Sequence, residues 1–308
     1  MNAAGVANAG LRRAILAAAD DAHVRSFVRR HGRKLGAGRF VPGETLDEAV
    51  VALRRLNDAG LLANTSLLGE GVRDPVQAEA VAAAYEVILD RLATERLGCN
   101  LAVKLTHLGL ELGESFALEN VERVVERAAS HGNFVRIDME QSAFVDATLR
   151  IYRTLRERGR DNVGVVLQSY LYRSERDLEE LLPLRPNLRI VKGAYLEPPD
   201  VAYPRKADVD AAYVRLVDAA FAGEGYTAVA THDERLIEHA VSLGRDRDRF
   251  ELQLLYGVRP QLQLDLARRG NTVRIATPYG PEWYPYLMRR LGERPANLLF
   301  LVRNLLRG

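Results

Sequence analysis

The feature that most constrains the fold is an alternation of short apolar runs with amphipathic segments. Eight runs have strand length, at residues 61–65, 100–105, 133–138, 163–169, 188–192, 227–230, 250–254 and 272–276. They are continuous runs and not strictly alternating apolar and polar ones, as expected of parallel strands that are buried on both faces. Helical patterns separate them, for example at residues 75–96, 116–131, 143–157 and 209–222. Eight such units predict an α/β fold, a closed (β/α)8 barrel of the TIM type.

Segments outside the eight units complete the predicted organisation. Residues 11–30 have a helical pattern rich in Ala and Arg, and a glycine-rich, basic connection follows. We predict an N-terminal helical arm at residues 1–42, a barrel domain at 43–308 and an extra C-terminal helix at 296–306. A helix should lead into the barrel, because Thr45 and Glu48 have the spacing of a capping box and Gly60 stands where that helix would end.

Composition excludes several classes of protein. The 43 basic residues nearly balance the 41 acidic ones, which argues against a nucleic-acid partner. Cys99 is the single cysteine and the six histidines lack ligand spacing, so we predict no disulfide and no metal site. No apolar run reaches the length of a membrane span. We expect a soluble cytoplasmic protein, which could still associate peripherally with the inner face of the membrane.

Polar side chains lie at the ends of six consecutive runs, where barrel enzymes carry their chemistry. Lys104 and Asp138 come from adjacent strands and could pair, either to stabilise the barrel mouth or to meet a substrate amine or carboxylate. His232 by itself would more often be a hydrogen-bonded core residue than a ligand contact. Six such strand ends together favour a site. Together with a few apolar neighbours, the residues that these six strands carry are Lys104, Asp138, Met139, Gln168, Ser169, Tyr170, Arg189, Lys192, Gly193, Ala194, Tyr195, Thr231, His232, Asp233, Glu251, Gln253 and Leu255.

A turn and a helix follow the eighth run, in the stretch TPYGPEWYPYLMRRLG. Tyr286, Arg289, Arg290 and Glu293 are spaced i, i+3, i+4 and i+7, which places them along one helix face. Two guanidinium groups can hold one carboxylate from two directions, and a tyrosine ring can cover the apolar side of a small ligand. The alternative is a solvated face with a Tyr–Arg stack and an Arg290–Glu293 pair.

The chain resembles the proline dehydrogenase family over residues 101–304, in the motifs VKLTHLG, VRIDME, VVLQSYLYR, RIVKGAY, ATHD, ELQLLYGVR and YPYLMRRLGERP. The resemblance implies FAD bound across the barrel mouth and oxidation of L-proline to Δ1-pyrroline-5-carboxylate by hydride transfer to flavin N5. It also implies that electrons pass to a membrane quinone, in the first step of proline degradation to glutamate. A separate pyrroline-5-carboxylate dehydrogenase would then act on the product.

The same resemblance implies roles for individual residues. Arg289 and Arg290, with Lys104 beside them, would hold the proline carboxylate, and Asp138 would pair with Lys104. The candidate catalytic residues are Asp138 and Arg189, the latter near flavin N5. The proline ring would pack against Tyr195, Leu255 and Tyr286, and Glu293 would steady the arginine pair. FAD contacts would come from Met139, Gln168, Arg189, Lys192, Gly193, Ala194, Thr231 and His232.

Ala276 departs from the family pattern, in which a tyrosine usually stands before the loop to the last barrel helix. The pocket would be roomier, so a related flavin enzyme that oxidises a substituted proline or another cyclic or N-alkyl amino acid stays open. A non-catalytic barrel that binds a small carboxylate is the other alternative. No GxGxxG motif follows the first run, which disfavours a Rossmann domain and does not bear on FAD bound by a barrel.

Overall fold

A computed structural model of the chain describes Asp21, Ser26, Val28, Arg30 and residues 37–293 except 245 and 247. The predicted arm at residues 1–42 lies mostly outside the described residues, and the predicted helix at 296–306 lies wholly outside them. The domain boundary at residue 42 therefore stays a prediction.

Eight parallel strands close into a barrel in chain order, which confirms the predicted fold class. Strand β8 closes the barrel by pairing with β1, from Leu62 opposite Arg274 to Leu67 opposite Tyr279. The strands are β1 (Leu62–Leu67), β2 (Cys99–Val103), β3 (Val135–Ile137), β4 (Val163–Gln168), β5 (Asn187–Val191), β6 (Tyr226–Ala230), β7 (Phe250–Leu255) and β8 (Val273–Tyr279).

A helix follows each strand and returns the chain to the same end of the barrel, as parallel pairing requires. These helices are α2 (Pro75–Thr94), α3 (Glu114–Ser130), α4 (Val145–Glu157), α5 (Ser174–Leu181), α6 (Lys206–Ala222), α7 (Glu234–Ser242), α8 (Pro260–Arg268) and α9 (Trp283–Glu293), and α1 (Leu46–Asp58) precedes them. Helix α1 begins with the predicted capping box, in which Thr45 Oγ1 accepts from the Glu48 N–H. Gly60 lies just beyond its end with a φ of 76°.

One continuous core lies between the strands and the helices. Leu89, Val124 and Ile190 are typical members, with 0% exposure each. Burying such a side chain stabilises the fold by about 1.5–3 kcal/mol. Cys99 belongs to this core, where burial raises the pKa of its thiol to about 12. The cysteine therefore packs as a small apolar residue and is not a thiolate.

A second, smaller core anchors the start of α9. Phe40 and Val41 pack there with Trp283 and Leu287. The indole Nε1 of Trp283 donates a hydrogen bond of 2.9 Å to Glu44 Oε1. The helix that carries the paired arginines is thus held against the segment that precedes α1.

Strand β8 is longer than predicted. We expected a turn from Pro278 onward, but this residue lies in the strand, opposite Ser66 of β1. Strand β7 ends opposite Ala276, so β8 has a single neighbour beyond that point and the missing proline N–H breaks no ladder bond there.

No helix in the described part of the chain is both long and apolar enough to cross a membrane.

Candidate active site

A cavity of about 1010 Å³ opens where the strands end. Small apolar side chains from the strands form part of its wall, among them Ala102, Val166, Ala230 and Leu254. The structure brings together at this cavity the predicted residues Lys104, Asp138, Met139, Gln168, Arg189, Lys192, Gly193, Ala194, Tyr195, Thr231, His232, Leu255, Tyr286, Arg289 and Arg290. The side chain of Glu293 lies outside the described residues.

Glu70 lies between two of the cations at this cavity. Its Oε2 is 2.9 Å from Lys104 Nζ, and its Oε1 is 2.8 Å from an Arg289 guanidinium nitrogen. Burial of Glu70 opposes its ionisation, but Lys104 and Arg289 outweigh that effect and lower its pKa to about 2. Glu70 is therefore a carboxylate at neutral pH. Glu70 was not predicted from the sequence, because a single acidic residue in a loop carries no pattern.

The predicted pair of Lys104 with Asp138 is wrong. Asp138 Oδ1 instead accepts a 2.7 Å bond from Arg189, whose other terminal nitrogen donates to Asn64 at 2.8 Å. Arg189 is only 8% exposed, and burial lowers its pKa while Asp138 favours the charged form. A buried guanidinium needs a counterion more than a partly exposed lysine does. Lys104 follows the last residue of β2 and reaches Glu70 instead.

Helix α9 presents its two arginines beside aromatic rings. The Arg290 guanidinium carbon lies 5.1 Å from the centre of the Tyr286 ring, and that of Arg289 lies 5.9 Å from the Tyr195 ring. Tyr286 is 9% exposed, so a solvated helix face does not describe it, although the Tyr–Arg stack is present. Burial raises the pKa of Tyr195 far above its ordinary value, which keeps its phenol neutral.

Ala276 lies in the wall between two other strands. It is the register partner of Leu255 on β7 and of Asn64 on β1, and all three line the cavity. Side chains in register on neighbouring parallel strands face the same side of the sheet. A larger residue at position 276 would therefore project into the space beside Leu255.

A charged rim borders the cavity beyond β5 and β6. Lys192 Nζ lies 2.6 Å from Asp210 Oδ1 and 3.3 Å from Asp233 Oδ2. Lys206 and Arg235 also contact these two aspartates. Across the described residues, no group of three or more His, Cys, Asp or Glu side chains is arranged to hold a metal ion.

Two predicted site residues, His232 and Gly193, fix the course of the backbone near this rim. His232 Nε2 accepts a 3.0 Å bond from the Leu255 N–H, which joins the ends of β6 and β7 and places any ring proton on Nδ1. Gly193 has a φ of 118°, and a Cβ there would lie 2.3 Å from the Tyr170 ring. Only glycine allows this close approach of backbone and ring.

A closed (β/α)8 barrel with buried charges around a large cavity at its mouth is the architecture of a barrel enzyme. The profile of the proline dehydrogenase family matches residues 49–303, and the chain belongs to that family. Proline dehydrogenase of Deinococcus radiodurans is 42% identical over 305 residues, which cover 96% of this chain and 98% of the relative. Proline dehydrogenase 1 of Bacillus subtilis (strain 168) is 38% identical over 301 residues, with 96% and 99% covered.

Solved structures share the fold. Proline utilization A from Bdellovibrio bacteriovorus, inactivated by N-propargylglycine, superposes with a TM-score of 0.77 at 23% identity over 83% of this chain. A mutant of the Bradyrhizobium japonicum protein gives 0.72 at 22% identity over 90% of it. The chain spans about a third of the length of these larger proteins, 32% and 33% respectively.

Proposed function

We propose that this chain is an FAD-dependent proline dehydrogenase, which oxidises L-proline to Δ1-pyrroline-5-carboxylate by hydride transfer to the flavin. One observation carries the proposal: Lys104 and Arg289 converge on a single carboxylate, that of Glu70, beside the ring of Tyr195. A site that holds one carboxylate in this way is suited to hold a second. Membership of the family supports the identity of the substrate.

The cationic side chains of Lys104, Arg289 and Arg290, together called the carboxylate clamp, favour an anionic group on the substrate. All three line the cavity, and ionised Glu70 balances only one of the two charges of Lys104 and Arg289. Arginine can meet a carboxylate with two parallel hydrogen bonds, which orients the ligand as well as holding it. The rings of Tyr195 and Tyr286 border the same space and supply apolar surface for a pyrrolidine ring. Such orientation provides much of the rate of an enzymatic step.

The proline nitrogen must be unprotonated before the adjacent carbon gives up a hydride, because its lone pair stabilises the iminium that forms. Asp138 is engaged with Arg189 at 2.7 Å, so we do not assign it the role of an obligatory base. Its proposed role is to hold Arg189 in place at the cavity wall and to compensate the charge of that buried guanidinium.

The residues at the mouth fit a flavin cofactor. Arg189 lines the cavity, and its buried Nε has no hydrogen-bond partner among the described residues, so its guanidinium fits beside an acceptor on a flavin ring. Backbone at Gly193 and Ala194 can approach a ligand closely, and Lys192 offers a cation for the pyrophosphate. Met139, Gln168, Thr231 and His232 would complete the contacts. When bound, FAD supplies the two-electron acceptor for the reaction.

We extend the proposal to the fate of the electrons and the product on the strength of family membership alone. Electrons would pass to a membrane quinone, with the protein in the cytoplasm or at the inner face of the membrane. A separate pyrroline-5-carboxylate dehydrogenase would convert the product onward to glutamate.

The test is anaerobic reduction of the purified, FAD-loaded protein. L-Proline should bleach the flavin absorption, and pyrrolidine, which lacks the carboxylate, should do so only at far higher concentration. Hydroxyproline, pipecolate and sarcosine serve as competing substrates. Proline binding without bleaching would support the non-catalytic barrel, and faster bleaching by another amino acid would support the related flavin enzyme.

A further inference from the structure

The loop between β1 and α2 is held at three consecutive residues by the segment that follows β2. Lys104 Nζ donates to Glu70 Oε2 at 2.9 Å, and Thr106 Oγ1 accepts from the Gly71 N–H at 3.1 Å. The His107 ring lies so close to Gly69 that a Cβ there would be 2.3 Å from its Nε2. One segment thus fixes the backbone on both sides of Glu70.

Thr106 is itself held by a buried carboxylate. Its N–H and its hydroxyl both donate to Glu140, at 3.0 and 2.5 Å. Thr106 is 2% exposed and Glu140 1%, so neither can exchange these bonds for water. Glu140 is also bonded to a residue that lines the cavity, because Gln168 Nε2 donates to its backbone carbonyl at 2.9 Å.

We propose that Thr106, oriented by Glu140, is a positioning residue that fixes Glu70 between Lys104 and Arg289. The inference rests on the proposed function, in which those two cations receive the carboxylate of the substrate. Glu70 precedes Gly71, whose φ of 68° turns the chain sharply, and the Gly71 N–H is the nearest backbone anchor on that side. The next anchor is the Val72 N–H, which donates to the Thr106 backbone carbonyl at 2.9 Å and is kept when the Thr106 side chain changes. Without the hydroxyl, the backbone directly beside Glu70 is no longer fixed, and Glu70 aligns the two cations less well before the substrate arrives.

The consequence is a loss of substrate affinity with little change in the chemical step. Thr106 does not line the cavity, and the candidate catalytic residues lie elsewhere in the barrel, Arg189 on β5 and Asp138 directly after β3. Loosening Glu70 should therefore raise the proline concentration that half-saturates flavin reduction. The limiting rate constant at saturating proline should stay near that of the wild type.

The matched pair of variants is Thr106→Val and Thr106→Ser, measured as FAD-loaded proteins. Valine keeps the shape of threonine and removes the hydroxyl, whereas serine keeps the hydroxyl. We expect Thr106→Val to raise the half-saturating proline concentration about ten-fold with a limiting rate within about two-fold of wild type, and Thr106→Ser to restore binding. A half-saturating concentration does not depend on the fraction of active molecules, so a variant that is merely less stable would leave it unchanged.

Thr106→Val also takes a donor from buried Glu140, which can impair folding. The double variant T106V/E140L removes the hydroxyl together with its carboxylate partner, so that no unpaired buried carboxylate remains and only the N–H of residue 106 loses an acceptor. It should fold and show the same rise in the half-saturating concentration.

A double-mutant cycle with Glu70→Ala decides whether Thr106 acts through Glu70. In the Glu70→Ala background, Thr106→Val should cause no further rise in the half-saturating concentration. An equal rise in both backgrounds, or wild-type binding by Thr106→Val, would overturn the inference. Wild-type protein that proline cannot reduce would instead overturn the proposed function, and this inference with it.

Discussion

Asp138 and Arg189 form the ion pair that most sharply distinguishes the structure from the pairing expected from the sequence. Asp138→Asn keeps the shape of the side chain and removes its charge, which leaves the Arg189 guanidinium without a counterion. Breaking a fully buried pair in this way costs about 3–5 kcal/mol. The Asp138 side chain is 27% exposed and that of Arg189 9%, so water relieves part of the penalty and we expect a loss of about 2 kcal/mol in unfolding free energy.

Two double-mutant cycles, measured by denaturant unfolding, test this assignment. Asp138→Asn combined with Arg189→Met should be non-additive by about 1 kcal/mol or more, because either change alone breaks the pair. Asp138→Asn combined with Lys104→Met should be additive within about 0.5 kcal/mol, since Lys104 pairs with Glu70. A larger coupling with Lys104 than with Arg189 would refute the reasoning and restore the pairing expected from the sequence.

Three further predictions concern Arg290 on α9, Ala276 on β8 and His107 in the segment that follows β2. Arg290→Lys keeps the charge but loses the planar guanidinium, which can donate two parallel hydrogen bonds to a carboxylate. KM for proline should therefore rise about ten-fold or more, while kcat should fall less. An unchanged KM with a collapsed kcat would contradict a role of Arg290 in binding. Ala276→Tyr should tighten proline binding by about 1 kcal/mol and lower the ratio of kcat/KM for hydroxyproline over proline. An unchanged ratio would mean that residue 276 does not meet the substrate. Burial of His107, with Lys104 nearby, lowers its pKa to about 4, so as the pH falls from 6.5 to about 4 the unfolded chain takes up a proton that the folded chain resists. Up to about 3 kcal/mol of unfolding free energy should be lost over that window, and a loss of equal size in His107→Gln, measured by denaturant unfolding, would contradict this account.

The sequence by itself determined the architecture. Continuous apolar runs and intervening helical periods are local signals, and they predicted eight strands in a parallel barrel and the helix that begins at the Thr45 cap. The same signals placed polar residues at the strand ends, which a closed barrel necessarily brings to one mouth. Strand ends were less well predicted, as at Pro278, because a residue tolerated at a strand edge has the same local pattern as a residue in a turn.

Only the tertiary structure decided which charges meet. Glu70 and Arg289 are 219 residues apart in the chain, and no periodicity relates them. The predicted barrel placed only Lys104 on a strand next to that of Asp138, but Asp138 pairs with Arg189, two strands away on β5. Burial decides this partner, because a counterion is most valuable to Arg189, which is 8% exposed. The energy of an ion pair depends on distance and on access to water, and both are properties of the folded chain and not of its residue types.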